Sequence, residues 1–160
     1  MTRILNIAIV IVLSGCSLIP CNSNSELDSL NEKPKDDELV GTYLPDRRTL
    51  LDIPGIHTNS KIILTKDHKF VFENLPKSTF HTEAFYYESY DLVNGIGEWQ
   101  SDFTEYTAEL FVKVDEEELN SEGKFDFATS WKIYKYGNKN VIFIVVGDPD
   151  ECAAIRLIQK

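Results

Sequence analysis

Tyr106-Thr107-Ala108-Glu109-Leu110-Phe111-Val112-Lys113-Val114 decides the fold class. Tyr106, Ala108, Leu110, Val112 and Val114 alternate with Thr107, Glu109, Phe111 and Lys113, the period of two that a strand shows when one face lies on a core. Lys61 to Thr65 and Lys69 to Glu73 repeat the pattern on either side of the turn-like Lys66-Asp67-His68, with Phe70 and Phe72 on one face, which predicts a hairpin. Trp131 to Tyr136 and Val141 to Val146 form a second pair around Gly137-Asn138-Lys139-Asn140, residues suited to the positive φ of a tight turn. Val141 to Val146 is apolar on both faces and reads as a central strand. Asp148-Pro149 then favours a turn, and Ala153 to Gln159 returns as the last strand. No stretch after residue 38 sustains a period of 3.6. The chain is therefore expected to be all-β, an antiparallel meander of about eight strands closed as a barrel or stacked as a sandwich.

The rest of the chain sets the context of that body. Its 160 residues are 42% apolar and 26% charged, the composition of one globular domain, with a formal charge of −10. That sign excludes a protein that holds phosphate backbones by counterion release, so no nucleic acid partner is expected. Met1-Thr2-Arg3 is a positive start, and Ile4 to Leu13 is an apolar run broken only by Asn6. Ten helical residues reach about 15 Å, half of a hydrocarbon core, which is too short for a permanent span and right for a cleaved export signal.

Leu13-Ser14-Gly15-Cys16, at the end of that run, resembles the lipobox of bacterial lipoproteins: a branched residue, two small residues and a cysteine. The resemblance implies a signal peptide of residues 1–15, acylation of Cys16, and a mature chain that starts there. The lipid on Cys16 would make the membrane the first partner, since several acyl chains at about 0.8 kcal/mol per buried methylene hold a protein stably. Ser17 after the modified cysteine leans towards the outer membrane of the cell envelope, facing periplasm or cell surface. Residues 16–37, rich in Ser, Asn, Asp, Glu, Lys and Pro, read as a flexible tether; the alternative is a first helix from Glu26 to Glu32 marked by Leu27 and Leu30. The β domain is expected over residues 38–160.

Gly41-Thr42-Tyr43 and Gly97-Glu98-Trp99 each set a glycine, a polar residue and an aromatic before alternating strands. This opening followed by a meander resembles lipocalin-like domains and implies that the aromatics plug a barrel end while the glycines let the strands bend. Gly147-Asp148-Pro149-Asp150 is similar to a tail of small bacterial lipoproteins and carries no activity with it.

Candidate chemistry is sparse. With Cys16 acylated, Cys21 and Cys152 remain, either as a disulfide or as thiols, in a compartment where disulfides persist. His57, His68 and His81 match no metal spacing, and neither Asp115-Glu116-Glu117-Glu118 nor Asp148-Pro149-Asp150-Glu151 has the spaced acids and central glycine of a calcium loop. No catalytic motif, metal site or cofactor is expected, and the chain is read as a non-enzyme. Two features point to binding. Tyr86, Tyr87 and Tyr90 belong to a dense aromatic stretch suited to recognition, and Arg47-Arg48 is the paired guanidinium of an acidic chain, able to hold a carboxylate or phosphate. The leading expectation is a binding module whose barrel takes a small apolar ligand, which needs an apolar cavity of about a few hundred Å³. The alternative is an envelope protein-interaction factor, for inhibition, self-protection or assembly, acting through exposed aromatics and the acidic field.

Overall fold

The computed structural model describes residues 26–80, 91–104, 106–114, 127–146 and 153–160. In chain order the elements are β1 (Asp28–Ser29), α1 (Asp36–Leu39), β2 (Gly41–Pro45), α2 (Arg47–Asp52), β3 (Lys61–Leu64), β4 (Lys69–Pro76), a 3₁₀ turn over Lys77–Phe80, β5 (Leu92–Thr104), β6 (Thr107–Val114), β7 (Phe127–Tyr136), β8 (Lys139–Val145) and β9 (Ala154–Gln159). Strands β2 to β9 pair antiparallel, each with the next, and β9 returns to β2 through Tyr43↔Gln159, Leu44↔Ile158 and Pro45↔Leu157. The result is a closed eight-stranded meander, a barrel and not a sandwich, with no free edge between its first and last strands.

Alternation places the core as expected except at Tyr106, which precedes β6 and is 87% exposed. Ala108, Leu110, Val112 and Val114 of β6 face inward, as do Phe70 and Phe72 of β4, and with Tyr43, Trp99, Trp131 and Ile142 they pack the interior. The rings of Phe70 and Phe72 stack at 5.2 Å, and Phe70 meets Trp131 edge-on at 5.5 Å. The β7–β8 turn is tighter than the four residues expected. Tyr136 pairs with Lys139, leaving only Gly137 and Asn138 between them, with Gly137 at φ +60°.

Three departures from the sequence reading have physical reasons. First, β8 is apolar on both faces without being buried between layers. Ile142 and Ile144 point into the barrel, whereas Val141 and Phe143 join Tyr134 in an outer cluster against which Leu27, Ala154 and Ile158 pack. Second, contacts with the barrel begin before residue 38. Asp28 and Ser29 pair with Lys135 and Tyr134, continuing the β7 edge where the β6 ladder ends at Ala108↔Ile133. The Leu27 and Leu30 that would have marked a helix pack instead against the outer cluster and the main core. Third, α2 lies between β2 and β3 although no helical period shows there; it is too short to display a 3.6-residue repeat but is started by Asp46, whose carboxylate accepts the Thr49 N–H at 2.7 Å.

The turn of helix α1 closes the barrel end that carries the β3–β4, β5–β6 and β7–β8 turns. Leu39 is buried in the core, and the carbonyl oxygens around it accept from strand side chains: Glu38 from Asn140 and Gln159, Leu39 from Tyr43, Val40 from Gln159. These bonds satisfy the carbonyls that a single helical turn leaves open.

Candidate functional site

Of the residues expected to bind, Arg47 and Arg48 lie in the described structure, on α2, whereas Tyr86, Tyr87 and Tyr90 lie outside the described residues. So do Cys16, Cys21, Cys152, His81, the lipobox and both acidic clusters.

Helix α2 is clamped to β9 at one residue. Thr49 is buried, and its hydroxyl accepts the Arg156 N–H at 2.8 Å and donates to the Arg156 carbonyl at 3.2 Å, which also takes the Asp46 N–H at 3.0 Å. The Arg156 side chain, 3% exposed, stands on the outer face of β9 with Nε 3.0 Å from Asp46 Oδ2 and Nη2 3.8 Å from Glu26 Oε2. The Nε–H is not aligned on the Asp46 oxygen, so that contact is ionic more than a formed hydrogen bond. Asp46 thus caps the helix with one oxygen and neutralises a buried guanidinium with the other.

Beside this clamp lies a cleft of about 420 Å³. Arg47, Arg48, Leu51 and Tyr136 form its outer walls, and Ile158, Arg156, Glu26, Asp46 and Asp52 its remainder. Arg47 is exposed, and Arg48 Nε is 3.9 Å from Asp52 Oδ2 one turn on. Leu51 is 73% exposed and Tyr136 45% exposed, so apolar surface adjoins two guanidinium groups. Such a place can take a carboxylate or phosphate carried on an apolar body.

A second groove, about 830 Å³, runs past the α1 end of the barrel. Asp36 Oδ1 accepts from the Ser101 hydroxyl at 2.5 Å, and Asp36 Oδ2 is 3.8 Å from His68 Nε2. His68 holds φ +59°, its ring lies 4.9 Å from that of Trp99, and its carbonyl accepts the Trp99 N–H at 2.9 Å. Beside it, the Thr65 hydroxyl holds the Asp67 carboxyl below the usual carboxylate range. Serine, histidine and aspartate are together here, but in the wrong order for nucleophilic attack. The serine hydroxyl donates to the carboxylate, and the imidazole touches the carboxylate from its other oxygen, whereas an activated serine needs a base on its own oxygen. The trio fastens α1 to the strands. His57 sits apart in the β2–β3 loop, its N–H donating to the Ser60 hydroxyl. Among the described residues no three metal-ligating side chains converge.

Asp46, Tyr136 and Arg156 were not singled out from sequence. Arg156 was legible in principle, as the lone cation in the apolar strand Ala153 to Ile158, and Asp46 three residues before Thr49 has the spacing of a helix cap. Tyr136 gave no signal, since only the fold carries it to α2. No family model, curated protein or solved structure matches the chain.

Proposed function

We propose that the chain is a lipid-anchored, non-catalytic protein of a bacterial cell envelope, and that its barrel is a recognition module acting through its outer surface at the cleft beside α2. One observation carries this reading: Arg47 and Arg48 share a concave surface with exposed Leu51 and Tyr136, while the interior is filled by Tyr43, Phe70, Phe72, Trp99 and Trp131. The partner is a segment of another envelope protein that carries a carboxylate beside an apolar side chain. In an acidic chain of net charge −10, a local pair of arginines selects such a segment by charge and register more than by area.

The anchor supports the same reading. Glu26 lines the cleft, and the ten residue-to-residue steps from Cys16 to Glu26 span at most about 35 Å when fully extended. An acylated Cys16 therefore keeps the cleft within that distance of the membrane. The test places a photo-crosslinking amino acid at Leu51 or, as a control on the β5 outer face, at Ile96 in intact cells. A discrete adduct at Leu51, lost on Arg47→Glu with Arg48→Glu and absent at Ile96, is expected. Equal labelling at both positions overturns the cleft, and fatty-acid labelling that persists after Cys16→Ala overturns the anchor.

A second reading, a barrel that takes a small apolar ligand, is favoured by an opening in its wall between β7 and β8.

A further inference from the structure

The β7–β8 ladder stops at Lys132↔Phe143, although β7 reaches back to Phe127 and β8 runs on to Val145. Beyond that point Thr129 to Trp131 stay laddered to β6, and Ile144 and Val145 to β9, so the wall parts between them. A cleft of about 210 Å³ occupies the split. Its inner side is formed by Trp131 and Phe80, whose rings lie 5.9 Å apart, and Phe143 and Ile144 stand across from them.

Thr79, from the 3₁₀ turn, also lines this cleft. It is 5% exposed, and its Oγ1 is buried with no hydrogen-bond partner among the described residues. Buried hydroxyls are nearly always bonded, because the desolvation of an unmet one is not returned by anything else. An orphan hydroxyl at the side of an aromatic cleft is what a site looks like when the missing partner belongs to a ligand. The cleft is smaller than the roughly 300–1,000 Å³ of pockets for drug-sized molecules, which limits the occupant to about one ring. Among the described residues the one charged side chain on the cleft, Lys132, is exposed at its rim, so a charge carried inward would gain no partner from them for the hydration it loses.

We propose that the β7–β8 split is a binding site for a small uncharged ring compound bearing one hydroxyl, the ring against Phe80 and Trp131 and the hydroxyl bonded to Thr79. The proposal rests on the reading that the barrel takes a small apolar ligand, and adds the place and the chemical class. Because Thr79 Oγ1 has essentially no accessible surface, binding requires that side chain to turn its hydroxyl towards the ring, with no change of strand order.

The test uses the ¹⁵N-labelled full chain in detergent, titrated with phenol or with fluorobenzene at equal free concentrations, and follows the Thr79, Trp131 and Ile144 amides. Saturable shifts confined to this region are expected, with phenol binding about tenfold more tightly than fluorobenzene. Thr79→Val is expected to remove that advantage and leave fluorobenzene affinity unchanged. Ser130→Trp, which fills the cleft from its exposed rim, is expected to abolish both while the spectrum of the remaining strands is unchanged. Equal affinity for the two compounds in the parent chain overturns the role of Thr79 while leaving an apolar site. Absence of saturable shifts with either compound overturns the site and the small-ligand reading together.

Discussion

The Tyr43 hydroxyl donates a 2.7 Å hydrogen bond to the Leu39 carbonyl oxygen, joining the strand that closes the barrel to the helical turn that plugs it. Both residues are buried, Tyr43 at 0% exposure, so neither group of the pair has water as an alternative partner. Tyr43→Phe removes the donor, leaves the carbonyl unmet, and is expected to cost about 1–3 kcal/mol. Urea denaturation checks it: the midpoint falls and the slope stays the same, because the surface exposed on unfolding hardly changes.

The same phenol makes stability depend on pH at the alkaline end. Burial pushes its ionisation well above the usual tyrosine range, with the Asn140 side chain opposing in part. The unfolded chain ionises Tyr43 near its ordinary value of about 10, and the native chain resists doing so. Its contribution is therefore complete below that pH and is lost as pH rises above it. Urea midpoints measured from pH 8 to 11 are expected to fall on the alkaline limb, and the fall is expected to be shallower in Tyr43→Phe. Identical limbs would contradict the assignment.

Asp46 serves two structures at once, so its removal is expected to be disproportionate. Asp46→Ala deletes the α2 cap and leaves the Arg156 guanidinium, 3% exposed, without its 3.0 Å carboxylate. A loss of about 3–5 kcal/mol is expected, typical of breaking one side of a buried pair. Arg156→Met, which replaces the charge with a shape of similar reach, is expected to cost less. By contrast, the exposed pairs Lys61–Glu73 at 2.9 Å and Lys69–Glu98 at 3.1 Å are expected to contribute under about 1 kcal/mol each. Thermal melts of Asp46→Ala, Arg156→Met, Glu73→Gln and Glu98→Gln rank these costs.

Two glycines are needed for different reasons, and alanine separates them. A Cβ at Gly97 falls 2.2 Å from the Lys113 carbonyl oxygen and 2.9 Å from Val114 Cγ2, so the β5 and β6 backbones must part. Gly137 has φ +60° and open space around it. Gly97→Ala is expected to cost about 3 kcal/mol or more, and Gly137→Ala about 1–2 kcal/mol from left-handed backbone strain alone. Equal losses in chemical denaturation would show that the β5–β6 approach is less tight than its geometry.

The strand interiors were legible because burial on one face of a strand is written locally, residue by residue. Phe70 and Phe72, or Leu110 and Val112, need no knowledge of the rest of the chain to be assigned to one face. The ends were less so. The site residues divide in the same way: Arg47 and Arg48 stand out as a dipeptide with the capping Asp46 beside them, whereas the Arg156 and Tyr136 that complete their cleft come from β9 and β7 and share no local pattern with them.

By itself the sequence determined an acidic, all-strand body of about eight strands, with the period of two, the turn residues and the charge all pointing the same way. Only the tertiary structure decided that β9 pairs with β2 to make a closed barrel, that Leu27 covers the second apolar face of β8, and that the β7–β8 ladder ends at Lys132↔Phe143. Each of these is a contact between segments distant along the chain. Its free energy comes from joint burial and shared hydrogen bonds, which no single stretch of sequence carries alone.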